Sequence, residues 1–203
     1  QVKLTYPNVV TISMIGNDIG FSDKLTKCIV GTDSCFHFRE DRQGVAAEVA
    51  SKFDTLVGMY KNIQETAAHD DLKVYVLGYP QLFSIDTQCA ANVRLDQEER
   101  AFSRGLVVYL NAVIRAATER AGVQYIDVQD AFAGAQLCEE GEKAVNGLTS
   151  GNDVLKVIGN ESFHPNEKGH QLFAEALASQ SINLTKPMPA PNPSKTAPIE
   201  GSD

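Results

Sequence analysis

At 203 residues, the chain is long enough for one large domain or two small ones, and it holds no run of about 18 apolar residues that would span a membrane. A net charge of −8 leaves no basic stripe to neutralise phosphates, which argues against a nucleic-acid partner. The acidic balance otherwise speaks only to solubility.

Taken in order, Val9-Val10-Thr11-Ile12-Ser13-Met14-Ile15 is β-branched and apolar on both faces, which predicts a buried parallel strand. It runs into Gly16-Asn17-Asp18, a polar turn at a strand's carboxyl end, where open α/β sheets place their ligands. Asp18 reads as a turn or helix cap. A short helical piece from Ser22 to Lys27 leads into a loop between Cys28 and Cys35. From Val45 one long helix is expected, with Val49, Phe53, Leu56, Tyr60 and Ile63 forming an apolar stripe that His69-Asp70-Asp71 breaks. Lys73 to Gly78 is the second buried strand, and Tyr79-Pro80 ends it. After a loop through Cys89, a helix is expected over Asp96 to Arg120, with Leu106, Leu110, Val113, Ile114 and Ala117 on one side. Gly122 stands where a helix C-terminus favours glycine. Val123 to Val128 is the third strand, and residues 129–160 are expected to be irregular.

The most constrained stretch is Glu161-Ser162-Phe163-His164-Pro165-Asn166-Glu167-Lys168-Gly169-His170. Pro165 pushes His164 to an extended backbone and suits the first turn of a new helix. Leu172, Phe173, Ala176 and Leu177 mark that helix's apolar side. A histidine at such a junction, with Glu161 three residues behind it, can take a proton near neutral pH. His37, His69 and His170 have no partners at metal-ligand spacing and read as surface or structural. From Lys186 onward repeated prolines predict a disordered tail or linker over 186–203, separate from a domain over 1–185.

Four cysteines, at 28, 35, 89 and 138, form no Cys-x-x-Cys pair and no zinc-like set, so they read as disulfides in an oxidising compartment. Of the three possible connectivities, the expected one pairs Cys28 with Cys35 and Cys89 with Cys138. Two glycosylation-type triplets, beginning at Asn160 and Asn183, fit a secreted chain. The start carries no signal peptide, and Gln1 opens as if partway through a domain. Strand and helix alternate three times, which predicts a parallel sheet with helices on both faces: a three-layer α/β/α fold.

Four segments resemble the SGNH, or GDSL-type, hydrolases. The run from Thr11 to Phe21 resembles the family's third block, in which an asparagine follows a glycine after a strand, and Glu161 to His170 resembles its last block. The runs Val74 to Phe83 and Phe132 to Cys138 are similar to the secreted, disulfide-bearing branch. The resemblance covers residues 8–180 and implies a flavodoxin-like sheet missing its first strands. It implies a carboxylic ester hydrolase, esterase or lipase, without a cofactor, acting on small-molecule or lipid acyl esters. His164 would be the general base for a serine nucleophile, Asn17 an oxyanion donor, and Glu161 (or a backbone carbonyl) the group that orients the ring.

Three departures qualify it. The Gly-Asp-Ser block and the oxyanion-glycine block are absent, so the serine would lie outside this chain and a preceding segment would complete the sheet. Gly31-Thr32-Asp33-Ser34 follows the third block and lies between two cysteines, so it reads as a disulfide loop rather than a nucleophile. Ile15 and Ala135 stand where relatives usually carry glycine and often histidine. Two rivals remain: a catalytically inactive relative that binds a glycan or protein, and a flavodoxin-like binding module. The latter would need a glycine-rich phosphate loop that Ile15-Gly16-Asn17-Asp18 does not supply.

Overall fold

The computed structural model describes residues 9–30, 36, 38–66, 72–89, 95–153, 156–159 and 161–183. In chain order they form β1 (Val9–Ile12), α1 (Phe21–Val30), α2 (Arg39–Ser51), α3 (Phe53–Thr66), β2 (Lys73–Leu77), α4 (Gln97–Ala121), β3 (Gln124–Ile126), β4 (Ser150–Asp153), β5 (Lys156–Ile158) and α5 (Glu167–Asn183). β1, β2 and β3 make a parallel sheet in that order, with Thr11 beside Tyr75 and Val76 beside Tyr125. β4 and β5 form a separate antiparallel hairpin.

Strand alternation sorts the core into two faces. Val74, Val76 and Tyr125 point to the side where Leu56 and Tyr60 of α3 and Leu110, Ile114 and Ala117 of α4 are buried. Tyr75, Leu77 and Ile126 point the other way, against Phe173, Ala176 and Leu177 of α5. The period of two in β2 thus feeds two helical layers, and the architecture is α/β/α as the pattern predicts.

α4 is delimited by its own sequence. Asp96 accepts from the Glu99 amide at 2.8 Å while the Glu99 carboxylate accepts from the Asp96 amide at 2.9 Å, a reciprocal capping box. At the far end Gly122 takes the left-handed conformation, φ 74°.

Four expectations are corrected. β1 stops at Ile12, and its side chains are exposed or half-buried rather than buried on both faces, because β1 is an edge of the sheet among the described residues and nothing there covers Val9 and Thr11. The expected long helix from Val45 is two helices. Lys52 leaves helical bonding between them, its amide reaching the Ala50 and Val49 carbonyls, while the apolar stripe continues unbroken across the join. The span 129–160 carries the β4–β5 hairpin. Pro165 lies outside α5, bridged to Val145; the helix is instead capped by Asn166, whose Oδ1 accepts from the Gly169 amide at 3.1 Å.

Cys89 and Cys138 are joined by a disulfide that ties the loop after β2 to the loop after β3. Cys28 is buried and disulfide-bonded; Cys35 lies outside the described residues, as do Gly31 to Ser34, His37, His69 and the proline-rich tail.

Candidate active site

Two amide side chains finish the carboxyl edge of the sheet. Asn111 of α4 accepts from the Tyr79 amide at 2.7 Å and donates to the Tyr79 carbonyl at 2.8 Å, just past β2. Gln180 of α5 does the same for Asp127, just past β3, at 2.8 and 2.6 Å. A carboxamide presents one donor and one acceptor, as a peptide does, so each stands in for a missing ladder neighbour where a strand ends. The two opposite helical layers are thereby fastened to the same edge.

Above that edge opens a cavity of about 640 Å³. The segment Ser13 to Asp18 forms one wall, Gly78 to Pro80 the floor, and Ser162 to Pro165 the opposite wall. Asn17 and His164 therefore line one space. Asn17 is exposed, and its side-chain amide is uncommitted among the described residues. His164 is half-buried, yet its Nδ1 is buried without a hydrogen-bond partner among the described residues. His170 also lines the cavity, from α5.

Glu161 is placed differently from its expected use. Its backbone carbonyl accepts from the His164 amide at 3.2 Å, closing a turn, but its side chain is exposed and outside the cavity, and its carboxylate is not bonded to Nδ1. A buried nitrogen left unpaired costs about 1–3 kcal/mol, so the ring carries an unmet demand for an acceptor.

The serine nearest His164 in sequence is otherwise engaged. Ser162, 1% exposed, donates its hydroxyl proton to the Gly159 carbonyl at 2.8 Å and accepts from the Thr149 amide at 3.0 Å. It pins the base of the β4–β5 hairpin and has no proton to offer the imidazole.

Both walls enter the cavity through strained residues. Ile15 has φ 89° and Phe163 has φ 62°, left-handed conformations that cost side-chain-bearing residues roughly 1–2 kcal/mol each. Burial holds them: Ile15 is 4% exposed among the α3–α4 core, and Phe163 is 7% exposed in a second cluster with Phe132 and Leu82. Ile15 thus occupies, at a price, a backbone setting that suits glycine.

Tyr79 escaped the sequence reading, which saw only a strand end in Tyr79-Pro80. Its phenol oxygen accepts from the Gly16 amide at 2.8 Å, one residue before Asn17. Burial pushes this phenol's pKa above its ordinary value of 10.0, and hydrogen bonds from the Gly16 amide and the Ser13 hydroxyl offset only part of that rise. An aromatic hydroxyl immediately past a buried strand was the available signal.

Among sequence families, the GDSL-like lipase/acylhydrolase profile matches residues 2–172. The chain belongs to that family. Within the GDSL-like proteins it is 29% identical over 165 residues to Lipase 1 of Streptomyces coelicolor, an alignment covering 79% of this chain and 55% of that one. It is 29% identical over 164 residues to a lipase of Streptomyces rimosus, covering 80% and 56% respectively. The chain spans little more than half the length of these curated relatives. Its fold is shared with the crystal structure of phospholipase A1 from Streptomyces albidoflavus NA297, at a TM-score of 0.63 and 24% identity over 84% of this chain and 68% of that one. The extracellular lipase of Streptomyces rimosus gives a TM-score of 0.62 at 26% identity, covering 83% and 68%.

Proposed function

We propose that the protein is a secreted carboxylic ester hydrolase that works by serine acyl transfer, with the nucleophilic serine supplied from outside residues 1–203 by a segment that completes the sheet beside β1. One observation carries this reading: Asn17 and His164, far apart in the chain, face the same cavity at the sheet's carboxyl edge. His164 takes the serine proton as it attacks the acyl carbon and returns it to the leaving alkoxide. The Asn17 amide donates to the oxyanion that forms. The unpaired Nδ1 needs an acceptor to hold its proton in place, and Glu161, whose backbone carbonyl accepts from the His164 amide, is the carboxylate we assign to that task. The oxidised Cys89–Cys138 pair supports a secreted setting. The mainly apolar cavity wall, with Met14, Phe21, Leu82 and Phe173, suits the acyl part of a small-molecule or lipid ester.

The test is hydrolysis of p-nitrophenyl esters by the full-length protein. Asn17→Ala should lower kcat by about 10²- to 10³-fold, and His164→Ala by more than about 10³-fold. Glu161→Gln should lower kcat and shift the acid limb of the pH profile. Equal rates for His164→Ala and the parent would refute the assignment of the base. A full-length protein that binds such esters without turning them over would instead identify an inactive, binding relative.

A further inference from the structure

Resting on the hydrolase reading, we propose that Tyr79 is a positioning residue for the oxyanion donor: its phenol holds the turn that aims Asn17 into the cavity.

Three contacts make the chain of cause. First, the Tyr79 backbone is immobilised by the two-way amide bracket from Asn111, itself 4% exposed on α4. The tyrosine therefore inherits the rigidity of the longest helix. Second, the phenol oxygen takes the Gly16 amide at 2.8 Å. Third, Gly16 lies hard against the ring, since a Cβ there would fall 2.8 Å from the phenol oxygen, 2.9 Å from Cε1 and 3.0 Å from Cζ. No other side chain could approach so closely.

The need for such a hold comes from Ile15. With φ 89° it occupies a conformation that a β-branched side chain resists; burial of Ile15 and Ile19 holds the two ends of the turn, and the exposed Asn17 between them needs a tie of its own. Further bonds close the turn behind Asn17, from the Gly20 amide to the Asn17 carbonyl at 2.9 Å and from the Phe21 amide to the Gly16 carbonyl at 3.1 Å. These fix its shape but tie it only to itself. Among the side-chain hydrogen bonds described, those that the Tyr79 phenol receives from the Gly16 amide and the Ser13 hydroxyl tie this segment to the sheet. Loss of those bonds lets the turn drift as a unit, and displacement of a catalytic group by about 1 Å can cost about 10²-fold in rate.

The experiment is a double-mutant cycle in the full-length protein, using Tyr79→Phe, Asn17→Ala and the pair. Tyr79→Phe should lower kcat by about 10- to 30-fold with KM changed less than about twofold, because orientation of the donor matters to the transition state and not to ground-state binding. In the Asn17→Ala background the same change should cost less than about twofold, since there is then no donor to aim. Hydrogen exchange at the Gly16 amide should quicken at least about tenfold in Tyr79→Phe. A kcat within twofold of the parent, or an equal loss in both backgrounds, overturns the proposal while leaving the ester hydrolase intact. If Tyr79→Phe fails to fold, 3-fluorotyrosine at position 79 keeps the shape and weakens the acceptor; an unmoved Gly16 amide resonance and unchanged kcat then overturn it. A parent protein that hydrolyses no ester removes the catalytic role together with the hydrolase reading, and Gly16 exchange still reports on the hydrogen bond.

Discussion

Gly169 gives the sharpest test of how α5 is seated, because its Cα faces a backbone rather than a side chain. A Cβ at this position would collide with the Ala144 carbonyl oxygen and fall 2.9 Å from Pro165 Cβ and 3.1 Å from Phe132 Cζ. Flexible side chains could step aside, but Ala144 is fixed by its amide bond to the Ala135 carbonyl at 2.8 Å, and Phe132 is fully buried and stacked on Phe173 at 5.1 Å. Gly169→Ala must therefore lift the first turn of α5, breaking the Asn166 amide bond to the same Ala144 carbonyl. Overpacking costs about 1–3 kcal/mol and the lost bond about 1, against a helix-propensity gain of about 1. The net expectation is a loss of about 2 kcal/mol. Gly44 in α2 and Gly58 in α3 have nothing within 4 Å of an added Cβ, so alanine there should instead stabilise by about 0.5–1 kcal/mol. Urea unfolding of the three variants reads both signs with one method. A Gly169→Ala protein as stable as the parent, beside stabilised Gly44→Ala and Gly58→Ala, would show that α5 does not sit where its packing places it.

Other consequences follow from buried polar atoms and strained backbone. Tyr60 is fully buried with no partner for its hydroxyl among the described residues, so Tyr60→Phe should leave stability unchanged or raise it by about 1 kcal/mol, and a loss above about 1 kcal/mol by urea unfolding would contradict this. Burial, its largest cause in each case, raises the Tyr60, Tyr79 and Tyr125 phenols above their ordinary pKa of 10.0. A raised folded-state pKa is stabilising in full below the unfolded value, so this contribution persists up to about pH 10 and is lost above it, by about 1.4 kcal/mol per pH unit for each phenol that ionises only on unfolding. Tyrosinate absorbance should then rise together with loss of circular dichroism; a full rise before unfolding would show the phenols to be accessible. Finally, Ile15→Gly should be more stable than Ile15→Ala by about 1 kcal/mol in thermal or urea unfolding, reversing the order found at ordinary backbone positions, because φ there is 89°.

What could be read from the chain alone follows from how local each cause is. α4 was legible to within a residue because Asp96, Glu99 and Gly122 carry its ends in their own chemistry. The Gly16-Asn17-Asp18 turn was legible for the same reason, whereas at His164-Pro165 the helix starts beyond the proline because Pro165 bridges to Val145 and Asn166 supplies the cap. The join at Lys52 was not, since Val45, Val49, Phe53 and Leu56 keep helical spacing straight through it. β1 was misjudged because burial of a strand depends on what lies over it, and Val9 to Ile15 are no less apolar than β2. The bond between Tyr79 and Gly16 joins segments remote in sequence, and the burial of His164 Nδ1 depends on what packs over it, so no spacing rule could announce either.

The two walls of the cavity are held by different cores, and this bears on how the site keeps its shape. Ile15 belongs to the cluster between the sheet and α3 and α4, whereas Phe163 belongs to the cluster of Leu25, Ile29, Leu82 and Phe132. Phe21 and Phe36 pack against both. Each wall stores backbone strain of roughly 1–2 kcal/mol that only its own packing sustains. Loosening either core would strain the link between the walls, which Phe21 and Phe36 bridge and the Ser22 hydroxyl closes by donating to the Ser162 carbonyl at 3.4 Å. The bracket from Asn111 and the phenol of Tyr79 oppose this on the Asn17 side. On the His164 side the corresponding work falls to Ser162, which pins the hairpin base, and to Asn166, which joins α5 to the Lys143 and Ala144 carbonyls at 2.8 and 3.1 Å. A cavity whose walls are each anchored in their own core, and linked to one another through Phe21 and Ser22, can be precise while its individual approaches remain strained.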